Sequence, residues 1–499
     1  MIERITRTVA TIVGSRRFAL GILGFFSFEA FWVACSAVYP MAFDEDFHFG
    51  LIKVYSHYWL PFLSSQPSES IQYGALTRDP SYAYHYLMSF PYRFIELFTH
   101  SQTAQVIILR LLNIVFFAIG LVLFYKVLRR AGSSRVLTNT ALLVFVLIPI
   151  VPLLAGQINY DNLLFAIVAW LCLLVQKIND QLSVRKFDLK TMLLVVLVCM
   201  FASIVKYAFL PMAFVAVVFL GVQGVRAFRG HKKQLRQAVG ESYHGLSSRT
   251  KIVLLTLLVL ITSLFAQRYV LNVVTYHTPL PKCDAVLSTD KCMSYSPWAR
   301  NYAYALSKTT DNDDRLLPFT WTWLQAMHYR LFFMVAGPMN NFTNYPPMPL
   351  PSATAVVATI MGITALLCYW RRVFSGHSFL VFLLLISALY CVVVWADNYS
   401  AYLMTGQPVA INGRYLLVVI LPLAAVFGRA LTLVLRQWRA LRMGFVLLTI
   451  LLFLQGGGVF SFILRSDEHW DWPSAVVVHM NNAARRVLAP VTIEGNKYY

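Results

Sequence analysis

Three consecutive carboxylic acids, Asp44, Glu45 and Asp46, stand shortly after the first long apolar segment, residues 18–38, and His48 follows them. Charged carboxylates are costly against lipid, so this cluster should lie in a hydrated loop at a membrane surface. On a helix that begins here, Asp44 and His48 would share a face, flanked by Glu45. A carboxylate there could deprotonate an acceptor hydroxyl, and an imidazole could orient it or meet a phosphate. Alternatively, Asp44 only caps the helix, with Glu45 and Asp46 stabilised by the helix dipole.

A second polar stretch, residues 156–162, connects two apolar segments and has the sequence Gly-Gln-Ile-Asn-Tyr-Asp-Asn. Gln157, Asn159, Tyr160 and Asp161 could bind sugar hydroxyls there, or they could hold the first loop in place. In the simpler alternative, Asn159 or Asp161 caps the helix that follows. The density of hydrogen-bonding side chains favours a functional role.

Two cations are expected at the same membrane surface. Arg414 follows Asn412 and Gly413 at the start of an apolar segment, and its guanidinium could grip a phosphate through two parallel hydrogen bonds. That would suit a lipid-phosphate leaving group at head-group level. Alternatively, Arg414 only anchors the helix end by reaching toward the interface. Lys206 is the only charge in a tight connection between two apolar segments and is a weaker candidate for the same role.

The elements that position these residues are expected to be membrane-spanning helices. The 499 residues are 58% hydrophobic and only 13% charged, and the mean hydropathy is +0.62. Soluble domains have about a quarter charged residues, so repeated apolar runs near twenty residues predict an all-α, multi-pass membrane protein. We expect about 11 spans (10–13), the first of them an uncleaved span and not a signal peptide. The predicted spans are residues 18–38, 104–125, 138–154, 163–175, 191–205, 208–223, 252–271, 352–369, 378–395, 415–435 and 443–463.

The distribution of the net charge of +20 predicts which end of each span faces the cytoplasm. Alternate loops hold 24 Lys and Arg with only four acids, whereas the loops between them hold 17 acids and fewer Lys and Arg. This alternation follows the positive-inside rule, places the N-terminus in the cytoplasm and puts the acidic cluster outside. We therefore expect the basic residues to meet anionic membrane lipids and do not expect a nucleic acid partner.

Two long outer segments, residues 39–103 and 272–351, should form the functional face. Aromatic and aliphatic residues at helical spacing predict two amphipathic interface helices in the first segment, the second of them broken at Pro91. In the second segment, Cys283 and Cys292 are spaced for a disulfide in an oxidising compartment, and no further metal ligands lie near them.

Glu29 and Arg110 fall inside predicted spans. Charges at that depth usually face a protein interior or a cavity, and these two could pair with each other.

The three motifs together resemble the GT-C superfamily of integral-membrane glycosyltransferases, and more closely a bacterial group of polytopic proteins within or near it. The resemblance is carried by three motifs in the same order and on the same side, over residues 1 to about 465. The motifs are Asp44-Glu45-x-x-His48-Phe49, Gln157-x-Asn159-x-Asp161 and Gly413-Arg414-Tyr415. In two respects the chain departs from the group: Phe43 replaces a proline that often precedes the acidic pair, and only a short outer tail, residues 466–499, follows the GT-C-like domain.

The resemblance implies inverting transfer of a sugar from a polyprenyl-phosphate-linked donor to a glycan, lipid or protein acceptor. Asp44 would be the base, with Glu45 and His48 beside it, and Arg414 with Lys206 would stabilise the departing phosphate. Some relatives use a divalent metal, so Mg²⁺ or Mn²⁺ is a possible cofactor. The resemblance also implies a bacterial cytoplasmic (inner) membrane with the active face extracytoplasmic.

Other functions compete with this one. A transporter or flippase of lipid-linked sugars would need polar residues near the bilayer midplane, and Glu29 with Arg110 keep that alternative open. A cell-surface glycan polymerase or ligase would share the outer-face chemistry. A structural assembly subunit would need none of the three polar clusters.

Overall fold

Long apolar runs with polar starts make the chain almost entirely helical. The computed structural model describes residues 2–41, 44–63, 65–308, 315–336, 343–466 and 469–492. Within them, two three-residue strands, β1 (Met334–Ala336) and β2 (Thr343–Tyr345), pair antiparallel. Short 3-10 helices occupy Ser68–Tyr73, Tyr207–Phe209, Gly413–Leu416 and Ala489–Val491. The α-helices are α1 (Ile2–Val13), α2 (Arg16–Ser36), α3 (Glu45–Ser56), α4 (Ala83–Glu96), α5 (Gln102–Arg130), α6 (Arg135–Val146), α7 (Ile150–Ala155), α8 (Tyr160–Ser183), α9 (Leu189–Val205), α10 (Leu210–Phe228), α11 (Lys232–His244), α12 (Ser248–Tyr276), α13 (Cys283–Val286), α14 (Thr289–Cys292), α15 (Ser296–Ser307), α16 (Leu316–Phe332), α17 (Pro349–Phe374), α18 (Ser378–Thr405), α19 (Leu417–Val434), α20 (Arg439–Phe453), α21 (Val459–Arg465) and α22 (Ala475–Leu488).

Serine side chains fix where several of the long helices begin. The hydroxyl of each accepts the backbone N–H three residues later, which satisfies a group that the first helical turn leaves unpaired. These capping residues are Ser15 for α2, Ser101 for α5, Ser134 for α6 and Ser247 for α12.

Within the described residues, eight helices are long and apolar enough to cross a bilayer. They are Arg16–Ser36, Gln102–Arg130, Tyr160–Ser183, Tyr207–Phe228, Ser248–Tyr276, Pro349–Phe374, Ser378–Thr405 and Gly413–Val434. The chain is thus compatible with a multi-pass membrane protein, as the sequence predicts.

The remaining three predicted spans are short or interrupted helices. Residues 138–154 divide into α6 and α7 at a turn that precedes Ile150, and residues 443–463 divide into α20 and α21 where Gly456 and Gly458 have positive φ. The third, α9, has only 17 residues. Hydropathy averaged over a window does not register such backbone breaks, which is why residues 138–154 and 443–463 were each predicted as one span.

The first long outer segment contains the two predicted helices, α3 and α4, packed on each other. Gly50 allows α3 to press against the 3-10 helix Ser68–Tyr73, since a Cβ at position 50 would lie 2.0 Å from the Tyr73 hydroxyl. The predicted break at Pro91 is wrong: α4 runs through this residue to Glu96. Packing against α3 and α5 holds the helix although proline lacks one backbone donor.

An aromatic core joins α2, α5, α6 and α8, and Phe26 of α2 stacks on Phe117 with ring centroids 5.3 Å apart. The rings of Phe117 and Phe165 stack with centroids 4.2 Å apart, and Phe145 stacks on Phe165 at 5.4 Å. Gly120 brings α5 close to α8, because a Cβ there would lie 2.4 Å from the Phe165 ring. This core sets the positions of the loops at both ends of these helices.

The C-terminal tail is folded against the start of the first outer segment. The Trp472 N–H donates to the Ser36 carbonyl (2.9 Å), and the Val38 N–H donates to the Trp470 carbonyl (2.8 Å). On α22, the buried Asn481 accepts from the Trp32 indole at 2.8 Å. The described part of residues 466–499 therefore supports α2 directly.

The predicted disulfide between Cys283 and Cys292 is present and joins α13 to α14. Gly74 lies close to this region, since a Cβ there would lie 3.1 Å from the Tyr295 ring. The second long outer segment thus packs on the first one.

Candidate functional site

Asp44 lies at the entrance of the site and does not cap α3 with its side chain. Its backbone is left-handed (φ 69°), a conformation that Asp adopts more readily than most residues, and the helix begins at Glu45. The Asp44 side chain is 45% exposed, and its Oδ2 accepts from Arg414 Nη2 at 2.7 Å. A carboxylate that is both exposed and fixed by a guanidinium is oriented for contact with a ligand.

Arg414 is held in the 3-10 turn Gly413–Leu416, ahead of α19. The Asn412 side chain accepts the Arg414 N–H at 3.0 Å, and Gly413 lets the turn approach α16, since a Cβ there would lie 2.5 Å from the Met327 carbonyl. Only 4% of the Arg414 side chain is exposed, and its Nε lies 4.0 Å from Asp161 Oδ2. The guanidinium therefore bridges two carboxylates from distant parts of the chain.

Lys206 completes the charged cluster. Its Nζ lies 2.5 Å from Asp161 Oδ1 and 4.6 Å from the ring centroids of both Tyr160 and Tyr415. Burial lowers the pKa of Lys206, and the neighbouring Asp161 opposes that shift. We call the set Asp44, Asp161, Lys206 and Arg414 the charge cluster; it balances two carboxylates against two cations.

Glu45 belongs to a different, fully buried ion pair with Arg110. Arg110 Nε donates to Glu45 Oε1 at 2.8 Å and Nη2 to Oε2 at 2.7 Å, while the N–H groups of Met41 and Ile158 also donate to this carboxylate at 2.8 and 3.1 Å. Neither side chain is exposed. Glu45 is thus occupied and out of reach of a ligand, which does not fit the catalytic role expected for it; it ties α3 to α5 and to residues 156–162.

The predicted pairing of Glu29 with Arg110 is wrong. Arg110 binds Glu45 and donates from Nη1 to the carbonyls of Ala34 and Ala37 at 2.9 and 2.6 Å. Glu29 instead accepts the Val459 N–H at 2.9 Å. Arg110 thus joins α5 to the end of α2, and Glu29 contacts the start of α21.

His48 lies behind the charge cluster and contacts His85, a residue without a distinguishing sequence signal. His48 Nδ1 and His85 Nε2 are 2.8 Å apart, and the rings are stacked. Burial lowers the pKa of both, that of His85 to about 3, so near neutral pH the pair is uncharged. The His48 ring also meets the Tyr160 ring edge-on at 4.6 Å, which makes it a support for Tyr160.

Residues 156–162 divide into a buried part and a part that faces the charge cluster. Asn159 caps α8, because its Oδ1 accepts the Asp161 N–H at 2.9 Å. Gln157 is completely buried, and its side-chain amide bonds to none of the residues that the structure describes. The sugar-binding role expected for these two therefore has no support in their placement, whereas Tyr160 and Asp161 contact Lys206.

Asn113 on α5 organises this stretch and was not found from the sequence. Its Oδ1 accepts from the Tyr84 hydroxyl at 2.8 Å and from Asn162 Nδ2 at 3.1 Å. A polar residue inside an apolar helix was the available signal. Asn113 links α4 and α5 to the start of α8.

The described residues contain no group of three or more His, Cys, Asp or Glu side chains arranged for a metal ion. Asp44 is paired with Arg414, and Asp46 Oδ1 accepts its neighbour's N–H, from Phe47, at 2.8 Å. These residues do not fit the Mg²⁺ or Mn²⁺ that the resemblance allows. The chain matches no protein-family model, no curated protein and no solved structure.

Proposed function

We propose that this chain is a multi-pass membrane glycosyltransferase of GT-C type. It would move a sugar, with inversion, from a polyprenyl-phosphate-linked donor to a glycan, lipid or protein acceptor. The observation that carries the proposal is the half-exposed Asp44 carboxylate bound to the buried Arg414, next to Lys206. Each of the three motifs behind the GT-C resemblance contributes a residue to this one network, Asp44, Asp161 and Arg414.

In the proposed reaction Asp44 accepts the proton of the acceptor hydroxyl while that oxygen forms a bond to the anomeric carbon. The bond between this carbon and the phosphate oxygen breaks, and its electron pair leaves with the polyprenyl phosphate. Arg414 and Lys206 would stabilise the charge that develops on the phosphate, since fixed cations in a poorly hydrated site act strongly on such charge. Attack from the face opposite the leaving group gives inversion.

In the absence of a donor, Asp44 and Asp161 hold Arg414 and Lys206 in place. A buried cation without a partner is strongly destabilising, so these two carboxylates serve as counter-charges in the resting site. When a donor phosphate approaches, Arg414 can shift part of its hydrogen bonding from Asp44 to the phosphate. That exchange would also release the Asp44 carboxylate for the acceptor.

We propose that the charge cluster faces the extracytoplasmic side of a bacterial inner membrane. The support is the loop charge distribution, with 24 Lys and Arg in the loops on the opposite side. The buried charges that favour a transporter, Glu29 and Arg110, are bonded to Val459 and Glu45. A polymerase or ligase would use the same cluster with a different acceptor.

The decisive test is sugar transfer by purified protein in nanodiscs, with a panel of synthetic polyprenyl-phosphate sugars and extracted envelope glycans. Both sugar incorporation and release of polyprenyl phosphate are measured. Asp44→Asn should lower the rate about 10²–10⁴-fold, as expected for loss of a general base. Asp46→Asn is the matched control, since it changes a carboxylate two residues away, and its rate should stay within about threefold of wild type.

Two outcomes would contradict the proposal. A wild-type rate of sugar transfer in Asp44→Asn would show that Asp44 is not the general base. After reconstitution in liposomes, movement of lipid-linked sugar across the membrane without release of polyprenyl phosphate would favour the transporter.

A further inference from the structure

We propose that a cavity between α2, α5 and α6 is a binding site for an anionic phospholipid. The cavity has a volume of about 520 Å³. Its polar lining consists of four basic side chains and a tyrosine, and the rest is aliphatic. The basic residues are Arg16, Lys126, Arg129 and Arg135.

The charge around this cavity is of one sign. No carboxylate lines it, and none of the four basic side chains forms an ion pair with a residue in the described ranges. Arg16 is the first residue of α2, and Arg135 is the first residue of α6. The positive ends of these two helix dipoles offset the negative end of α5, which carries Lys126 and Arg129, and the four side-chain charges leave the cavity positive, which suits a phosphate group.

The aliphatic wall distinguishes a lipid from a soluble phosphate. Leu121 and Leu142 are buried in the cavity floor, whereas Leu20 is 69% exposed and Val122 is 41% exposed at its edge. An inorganic phosphate would contact only the basic rim. A phospholipid would place its head group on the rim and its upper acyl chains along the exposed aliphatic edge, so it would use both parts of the cavity.

The location of the cavity fits the membrane surface opposite the charge cluster. Arg16 begins α2 and Asp44 comes shortly after its end, and 21 residues of helix span about 30 Å, the thickness of the hydrocarbon core. The cavity thus lies at the predicted cytoplasmic head-group level, where anionic lipids act on basic residues. It does not depend on the proposed glycosyltransferase activity.

Native mass spectrometry of the full-length protein tests the site. The protein is titrated with dioleoyl phosphatidylglycerol, with dioleoyl phosphatidylcholine, and with phosphatidylglycerol in the presence of millimolar inorganic phosphate. The quadruple variant R16Q/K126Q/R129Q/R135Q should bind phosphatidylglycerol at least about tenfold more weakly than wild type, because each basic residue near the head group contributes to attraction. The matched control R226Q/R229Q/K232Q/K233Q removes four exposed charges from the same predicted side and should bind as wild type.

A second variant tests the shape without a change of charge. Val122→Trp should fill the aliphatic edge of the cavity and weaken phosphatidylglycerol binding by several-fold. If the quadruple variant does not fold, Val122→Trp still tests the proposed site. Equal losses in the quadruple variant and its control, equal binding of phosphatidylcholine, or full displacement by inorganic phosphate would each overturn the proposal.

Discussion

The buried Glu45–Arg110 pair should be the most sensitive charge pair for stability. Arg110→Met removes two hydrogen bonds from a carboxylate with no exposed surface and leaves it only the Met41 and Ile158 N–H donors. Breaking a buried pair by removing one partner destabilises by about 3–5 kcal/mol. Glu45→Gln should have a similar effect, since Arg110 then faces an amide where it bonded a carboxylate.

The double variant E45Q/R110M should be about as stable as the worse single variant. In this variant the Ala34 and Ala37 carbonyls have lost the hydrogen bonds that Arg110 donates to them in the wild-type protein. A buried polar group left unpaired costs about 1–3 kcal/mol. The two single effects would sum to about 6–10 kcal/mol, so a double variant near 3–5 kcal/mol gives a coupling of several kcal/mol.

Unfolding in mixed micelles of dodecyl maltoside and SDS, followed by tryptophan fluorescence, measures these free energies. Lys177 and Asp188 provide the matched control, because they are 2.9 Å apart with side chains 52% and 19% exposed. Their cycle, K177M with D188N, should give a coupling of at most about 1 kcal/mol. Additive single effects at Glu45 and Arg110, or a loss below about 1 kcal/mol for Arg110→Met, would refute the argument.

The other predictions concern the charge cluster, the histidine pair and the disulfide. Arg414→Lys keeps the charge but loses the fork geometry and should lower transfer about 10–10³-fold, whereas Arg429→Lys, in the following helix α19, should leave the rate unchanged. Since burial lowers the pKa of His85 to about 3 from an unfolded value near 6.5, the unfolded state takes up protons first as pH falls. The contribution of His85 to stability should therefore be fully present above about pH 6.5 and fall by about 2 kcal/mol at pH 5, and His85→Gln should reduce the acid sensitivity in thermal unfolding scans by that amount. Cys283→Ser should leave the eight long apolar helices folded but expose residues 283–292 to protease faster than in wild type, and equal cleavage rates would contradict this.

Hydropathy was enough to predict the eight long apolar helices, and the helical spacing of apolar residues predicted the two helices of the first outer segment. They were not enough for α6–α7 and α20–α21, because a turn at Leu147 or at Gly456 interrupts an apolar run without changing its average hydropathy. At Pro91 the error was the opposite one: a break was predicted, but the helix continues. The packing of α4 stabilises a helix that the local preference of proline would end. In each case tertiary contacts, and not composition, determined whether the helix breaks or continues.

In the candidate site, residue type was enough to identify individual residues, but their pairing depended on backbone geometry. Charge at a predicted span end was sufficient to single out Asp44, Lys206 and Arg414, and the structure brings these together although Asp44 and Arg414 are 370 residues apart. The partnership of Asp44 with His48 rested on a helix that starts at residue 44. Because that backbone is left-handed, Asp44 turns toward Arg414 while His48 turns toward His85.

The three neighbouring carboxylates of the acidic cluster have three different environments, and this separation explains how one sequence motif can serve both stability and function. Glu45 forms a buried ion pair with Arg110, and this pair fixes the start of α3 against α2 and α5. Asp46 bonds its neighbour's N–H, and burial raises the pKa of its carboxyl. Only Asp44 combines exposure with a cationic partner, and its position follows from the anchored residue beside it. The buried ion pair therefore positions the candidate base: a change at Arg110 should disturb the site through α3 without touching the charge cluster.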